Sequence, residues 1–379
     1  MAQVAFSVVL LSVASLFVRH LLDLQHLDLG FHRDHVLLVS LDPANSGYDR
    51  ERLSRTLQEL LARLEATPGV RSATITGVLP MAGAGANRTA TVEGYQARPG
   101  ERRFLSENWV APKYFQTLGI PMLLGRDFSF QDEGRARVVI VNQTLVRYFF
   151  GNSNPIGRHI TFDGDDRPFE IVGVVADAKS SDLREPSLRF VYFNMFQSGP
   201  VFTQFALRTA VDPGTIAGEV RRTMIESLRG VPVVRITTLD DQVESAIVPE
   251  RLIAMLSGLF GALGSSLAAL GLYGLLAYAV AHRVNEIGIR MALGASRRDI
   301  TRMVLREALG MSSAGILAGV AGAYWSKRLA ASMIARLPFE NTFPIAFGAM
   351  TMIALALLAA SVPARRATHV EPMEALRHE

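Results

Sequence analysis

RVNEIGIRMALGASRRDITRMV, Arg283–Val304, carries seven charged residues and lies between two long apolar runs. Its local signals read as two short, separately capped helices. Asn285 is suited to cap the first, with Glu286 in the opening turn near the positive end of the helix dipole. Ile287 and Met291 fall one turn apart on one face, and Ile289 and Leu293 form a second apolar row. Gly294 suits the left-handed residue that stops a helix. Ser296 then opens a second helix, with Asp299 three residues on as in a capping box. That helix sets Ile300, Met303 and Val304 on one side and Arg297, Arg298 and Arg302 elsewhere, and runs on into the next apolar stretch. Two readings fit these residues. One is a basic helix resting on anionic lipid. The other is a shaped docking piece, favoured by the stop-start capping and the mixed-sign NEIGIR.

The flanking runs set the fold class. Leu252–Ala281 and Thr342–Pro363 contain no charge, Ala308–Ser326 is a weaker run, and Met1–Val18 is apolar apart from Gln3 and three serines. At 1.5 Å per residue each reaches, or nearly reaches, across a hydrocarbon core of roughly 30 Å. The mean hydropathy of +0.22 agrees. No basic residue precedes Arg19 and no Ala-x-Ala exit follows, so Met1–Val18 reads as a span whose cytoplasmic flank is missing and not as a cleaved signal. The expected class is a membrane protein with four transmembrane α-helices and a large two-lobed α+β extracytoplasmic domain between spans one and two.

Basic residues assign the sides. Arg283, Arg290, Arg297, Arg298, Arg302 and Arg306, with Arg365, Arg366 and Arg377 in the tail, place the loop and both termini inside. Lys327, Arg328 and Arg336 fall on the outer side but are fewer. The expected segments are a span at 1–20, an outer domain at 21–250, spans at 251–281, 306–327 and 342–363, a cytoplasmic segment at 282–305 and a cytoplasmic tail at 364–379.

Within the outer domain HVLLVSL reads as a strand. The helix YDRERLSRTLQELLARLEATPG follows, with Leu53, Leu57, Leu60, Leu61 and Leu64 at helical spacing, and then the strand VRSATITGVLP. The same order recurs in FTQFALRT, DPGTIAGEVRRTMIESLRG and VPVVRITTL, with Asp212 and Pro213 opening the helix. These two βαβ units, about 36–92 and 201–240, bracket a strand-rich middle lobe at about 93–200, like halves of one split module. In the middle, ARVVIVNQTLVRYFF reads as a strand and short helix, and Asp163-Gly164 as a hairpin turn.

Catalytic signatures are missing. There is no G-x-x-x-x-G-K-S/T, no H-E-x-x-H and no G-x-S-x-G, and without cysteine there is no disulfide or thiolate site. HRDH at His32–His35 lacks further ligands nearby and reads as a solvated linker; the acidic DGDD turn reads as a hairpin tip. No metal, no nucleic-acid partner and no catalytic residue is expected. Gly258, Gly261 and Gly264 in one run and Gly315 and Gly319 in another offer close helix packing, within the chain or in a dimer. The uncharged spans argue against an ion or proton path.

RVNEIGIRMALGASRRDI resembles the cytoplasmic coupling segment of the MacB/FtsX-type ABC transporter permeases, and the tail SVPARRATHVEPMEALRHE resembles that family's ending. YFQTLGIPMLLGRDF, VVIVNQTLVRYFFGNSNPIGRHI and FEIVGVVADAK resemble its extracytoplasmic core domain. The resemblance implies that Asn285, Glu286, Ile287, Gly288, Ile289, Arg290, Leu293, Gly294 and Ala295 dock on a separate ABC ATPase subunit, which would hold the ATP and Mg; no cofactor is expected in this chain. It implies a non-catalytic permease of a bacterial inner membrane, in a homo- or heterodimer, exporting a lipophilic or peptide substrate by mechanical transmission. A signal transmitter activating an extracytoplasmic partner such as a cell-wall hydrolase is the alternative. MAQVAFSVVLLSVASLFVRHL resembles the fifth span of duplicated eight-span members, which implies the C-terminal half of such a protein or a chain truncated from one.

Overall fold

The computed structural model describes residues 1–44, 47–82, 85–101, 103–180, 187–197, 200–333 and 342–368. The chain divides into two compact units, Leu27–Ala246 and the combination of Met1–His26 with Ile247–Glu379. The first helix, α1 (Ala2–Gln25), belongs to the second of these units.

The unit Leu27–Ala246 opens with β1 (Val36–Leu41), α2 (Arg50–Glu65) and β2 (Val70–Thr76). Helix α2 starts because the Asp49 carboxylate accepts the Arg52 N–H at 2.8 Å, with Glu51 in the first turn. Its five leucines, Leu53, Leu57, Leu60, Leu61 and Leu64, are all buried. Each such side chain contributes about 1.5–3 kcal/mol of apolar burial. The middle follows as β3 (Asn87–Val92), β4 (Phe104–Val110), α3 (Tyr114–Leu118), β5 (Met122–Gly125), β6 (Val138–Asn142), α4 (Gln143–Phe149), β7 (His159–Phe162), β8 (Phe169–Val175) and β9 (Phe190–Asn194). The chain returns through β10 (Gln204–Thr209), α5 (Pro213–Ser227), β11 (Val233–Thr238) and α6 (Leu239–Ala246). Asp212 caps α5 by accepting the Gly214 N–H at 2.9 Å.

The two outer units interleave. Strand β1 pairs antiparallel with both β10 and β11, and β10 pairs antiparallel with β2, giving the order β11-β1-β10-β2. Each βαβ unit thus inserts one strand between the two of the other, which is the split βαβ arrangement. Leu57, Leu60, Ile75, Phe205, Leu207 and Val220 share the core beneath this sheet.

The middle lobe closes on itself. Strand β4 pairs with β3, β3 with β7, β7 with β8, β8 with β6 and β6 with β9, and β9 returns to β4. This ring leaves its six strands without an open edge, so it is a small barrel filled by side chains. Leu105, Val139, Val141, Ile160, Phe162, Phe169 and Phe193 fill it. Phe193 meets Phe162 and Phe169 at 5.1 Å between ring centres. Strand β4 ties the lobes together: Val110 pairs with Thr76, and Trp109 packs against both cores while stacking on Phe193 at 4.5 Å. Strand β3, grouped by pattern with the first outer unit at 36–92, is a barrel strand, because Ala90 and Val92 bury in the barrel core. The strand pattern alone carries no mark of which sheet it joins.

His32, Asp34 and His35 are exposed as expected, but the backbone of this segment is tied into the fold. The His32 N–H donates to the Leu118 carbonyl at 2.8 Å, and the Arg208 guanidinium donates to the carbonyls of Thr117, His32 and Asp34 at 2.6, 3.1 and 3.3 Å. Arg33 pairs with Asp240 at 3.1 Å. Among the described residues no three His, Cys, Asp or Glu side chains gather as a metal site.

The second unit contains α1 with α7 (Val248–His282), α8 (Val284–Ala292), α9 (Arg297–Met333) and α10 (Phe343–Ala367). Four of these, α1, α7, α9 and α10, are long and apolar enough to cross a membrane. Helix α1 packs against the other three, with Val4 and Val8 burying beside Ala268 of α7 and Met352 of α10. Arg336 and the tail from 369 onward, which holds the last part of the family-like ending, lie outside the described residues.

Candidate functional site

The segment between α7 and α9 is fixed at both of its ends by backbone geometry. Helix α8 ends in a paired stop: the Gly294 N–H donates to the Met291 carbonyl at 3.1 Å and the Ala295 N–H to the Arg290 carbonyl at 3.0 Å. Gly294 takes φ +101°, the left-handed region that this double bond requires and that a side chain disfavours. Helix α9 begins two residues later with a reciprocal cap. The Ser296 N–H donates to the Asp299 carboxylate at 3.0 Å, and the Ser296 hydroxyl donates to it at 2.6 Å. The Asp299 N–H points back at the Ser296 oxygen at 3.4 Å. The turn between the two helices has almost no slack, and α9 runs unbroken to Met333.

One apolar row holds α8 down and the other faces outward. Ile287 is buried with Ile300 of α9 and Ala367 of α10, and Met291, Ala295 and Met303 pack around them. Gly288 is also buried. Ile289 and Leu293, the second row, are 49% and 82% exposed. Asn285, Glu286, Arg290 and Gly294 are exposed as well. Of the nine residues picked out by sequence, Ile287, Gly288 and Ala295 therefore seat the helix, Gly294 ends it, and Asn285, Glu286, Ile289, Arg290 and Leu293 form its outer face.

Asn285 is not the cap of this helix. Helix α8 starts at Val284 with Arg283 in the cap position and no side-chain cap bond. The preceding helix ends only at His282, and Arg283 carries the chain across with φ −111° and ψ 18°. The Arg283 N–H donates to Val280 and its carbonyl accepts from Ile287. With the two helices joined through one residue, Asn285 falls inside the first turn. Sequence reasoning also missed three supports. Glu307 of α9 receives Arg283 at 3.1 Å, Met303 receives the Arg290 guanidinium at 2.8 Å through its sulfur, and Ala367 forms the floor under Ile287. Each is a contact between helices, with no local signature.

The span glycines serve α1. A Cβ built at Gly319 would lie 2.7 Å from Val8 Cβ and 2.8 Å from the Ala5 carbonyl oxygen; at Gly315 it would lie 2.9 Å from Val4 Cβ and from the Met1 carbonyl oxygen. At Gly264 it would meet Leu10 at 3.1 Å, and at Gly261 Leu11 at 3.4 Å. These four glycines are packing surfaces within the chain, closed against α1. Gly258 alone of the five has nothing within 4 Å.

Comparisons with known proteins agree with this layout. Residues 1–224 match the model of the MacB-like periplasmic core domain, and residues 258–372 match that of the FtsX-like permease C-terminal region. The macrolide export ATP-binding/permease protein MacB of Bdellovibrio bacteriovorus is 25% identical over 302 residues, covering 74% of this chain and 46% of the relative. The pyoverdine export ATP-binding/permease protein PvdT of Pseudomonas syringae pv. syringae is 27% identical over 270 residues, covering 68% and 40%. The chain thus spans less than half the length of these relatives. The crystal structure of the periplasmic region of MacB from Actinobacillus actinomycetemcomitans aligns at TM-score 0.38 and 15% identity, covering 57% of this chain and 94% of that one. With four apolar helices, a two-lobed α+β domain between the first two of them, and two family models that together span most of its length, the chain is a multi-pass membrane protein that belongs to the MacB/FtsX-type ABC transporter permeases.

Proposed function

We propose that this chain transmits the motion of an ATP-hydrolysing partner through the membrane to its outer domain, and so drives export of a lipophilic or peptide substrate. The observation that carries the reading is the outer face of α8. Ile289 and Leu293 stand exposed on a helix whose other side is buried, beside Glu286 and Arg290. An apolar pair ringed by both charge signs is suited to a protein groove, where exposed apolar side chains supply affinity and the charges orientation. Because the stop at Gly294 and the cap at Ser296 leave the turn little freedom, a push on α8 moves α9 as a rigid body. The partner supplies ATP and Mg; the names of the relatives join an ATP-binding part and a permease, which supports pairing with an ABC ATPase.

The orientation proposed places α8 and both ends of the chain in the cytoplasm of a bacterium and residues 27–246 outside its inner membrane, since arginines concentrate around α8. A second permease subunit is expected to meet the side of α7 carrying Leu252, Met255 and Leu259, all more than half exposed, and not the glycines closed on α1.

The test is co-purification with candidate ABC ATPases in nanodiscs, with ATP turnover as the second readout. Burial of one aliphatic side chain contributes about 1.5–3 kcal/mol, so Ile289→Asp or Leu293→Asp weakens retention roughly ten- to hundredfold. Glu286→Ala and Arg290→Ala lower stimulated turnover while membrane insertion is unchanged. Normal retention and turnover in all four variants would end the coupling assignment.

A further inference from the structure

Between α9 and α10 runs an open groove lined by Arg302, Met303, Leu305, Arg306, Leu309 and Leu357, together with Asp299 and Glu307. Helix α9 carries no charge from Ala308 to Ser326, a stretch whose length of about 28 Å matches the hydrocarbon core. That match sets Arg306 and Glu307 at the boundary of the core and Arg302 one turn further out, in the headgroup layer. Leu309 and Leu357 then lie on the acyl side of the boundary. The groove therefore changes from basic to apolar at the depth where a phospholipid does.

The two acidic residues of the lining have partners of their own, although Asp299 also lies close enough to Arg302 for their charges to interact. Glu307 binds Arg283 at 3.1 Å, and Asp299 accepts both the hydroxyl and the N–H of Ser296. Arg302 and Arg306 stand exposed at i and i+4 on one side of α9, and among the described residues no ion pair is found for either guanidinium. Two such groups over an apolar slot complement a phosphate that carries an acyl chain.

We infer that this groove binds one anionic phospholipid, its phosphate on Arg302 and Arg306 and an acyl chain along Leu309 and Leu357. The inference does not depend on α8 docking an ATPase. It requires only that α9 cross the bilayer, and neither orientation of the chain alters it.

The experiment uses the purified full chain without any ATPase, in mixed micelles doped with phosphatidylglycerol or phosphatidylcholine, with retained lipid counted by native mass spectrometry. Wild type is expected to retain one phosphatidylglycerol in preference to phosphatidylcholine. Each arginine near an anionic headgroup is worth about fivefold, so Arg302→Gln with Arg306→Gln lowers retention roughly thirtyfold. Arg297→Gln with Arg298→Gln removes the same charge outside the groove and leaves retention unchanged. Leu357→Trp fills the apolar end without altering charge and also lowers retention. Equal loss in the two double arginine variants, or no preference between the lipids in wild type, overturns the site. So does unchanged lipid retention in the Arg302/Arg306 variant.

Discussion

Gly319 and Gly258 form a matched pair that measures what α1 contributes to the bundle. Alanine replaces glycine favourably in a helix by about 1 kcal/mol where nothing opposes the methyl group. At Gly258 nothing lies within 4 Å, so Gly258→Ala should be neutral or slightly stabilising. At Gly319 the new carbon would stand 2.7 Å from Val8 Cβ and 2.8 Å from the Ala5 carbonyl oxygen. Carbon atoms at rest sit about 3.5–4.0 Å apart, so α9 must retreat from α1 by nearly an ångström. Overpacking of that size costs about 1–3 kcal/mol, and the gap it opens also loosens Val4 and Val8 against their neighbours. The expected separation between the two variants is therefore about 1–3 kcal/mol or somewhat more, with Gly319→Ala the weaker. Equilibrium unfolding in dodecyl sulfate mixed micelles, followed by far-ultraviolet ellipticity, reads it directly. Equal midpoints for the two variants would refute the close α1–α9 approach and return Gly319 to the pool of ordinary span glycines.

Other consequences are equally open to measurement. Gly294→Ala puts a Cβ on a left-handed residue at a strain of roughly 1–2 kcal/mol, so amide exchange across 290–300 should quicken; unchanged protection would mean the turn is not held as described. Leu57→Ala, in the core under the interleaved sheet, should cost about 2–5 kcal/mol of outer-domain stability in urea, and a loss below 1 would contradict its complete burial. Glu101 accepts the hydroxyls of Tyr95 and Tyr148 and the Arg98 N–H, and these bonds, that of Tyr148 foremost, hold its carboxyl down at about 2 from an ordinary 4.5. A depressed carboxyl stabilises the fold above its unfolded value, so the advantage of wild type over Glu101→Gln should be full above about pH 4.5 and vanish as pH falls to about 2. A difference that ignores pH would separate Glu101 from its tyrosines. The same contact pushes the Tyr95 hydroxyl up to about 12, so its phenolate should appear only at the alkaline end of an absorbance titration and earlier in Glu101→Gln.

What the sequence disclosed was what the chain decides locally. The α2 leucines, the cap at Asp212 and the stop at Gly294 each depend on residues within a turn of one another, and all are found as the pattern implies. Asn285 misled because capping depends on where the previous helix ends, and α7 continues to His282. Interleaving of the two βαβ units was suggested by their repeated order, whereas closure of the barrel through β4 and β9 was not, since Ser106 and Phe190 are joined only by tertiary pairing. On α8, the periodicity showed two apolar rows but not which one would be covered. That choice is made by Ile300 and Ala367, on two other helices. The glycines show the same limit: small residues announce a close neighbour without naming it, and the neighbour is α1.

The place of α1 at the middle of the bundle bears on how the protein is made. It leaves the ribosome ahead of residues 27–246 and ahead of all three helices that pack on it. Until those arrive it stands in lipid without their packing. Its two buried serines are already satisfied within the helix, Ser7 donating to the Gln3 carbonyl at 2.8 Å and Ser12 to that of Val8 at 2.7 Å. Neither buried serine waits for a later partner, so α1 can be inserted early and stand as the post on which α7, α9 and α10 are assembled during synthesis.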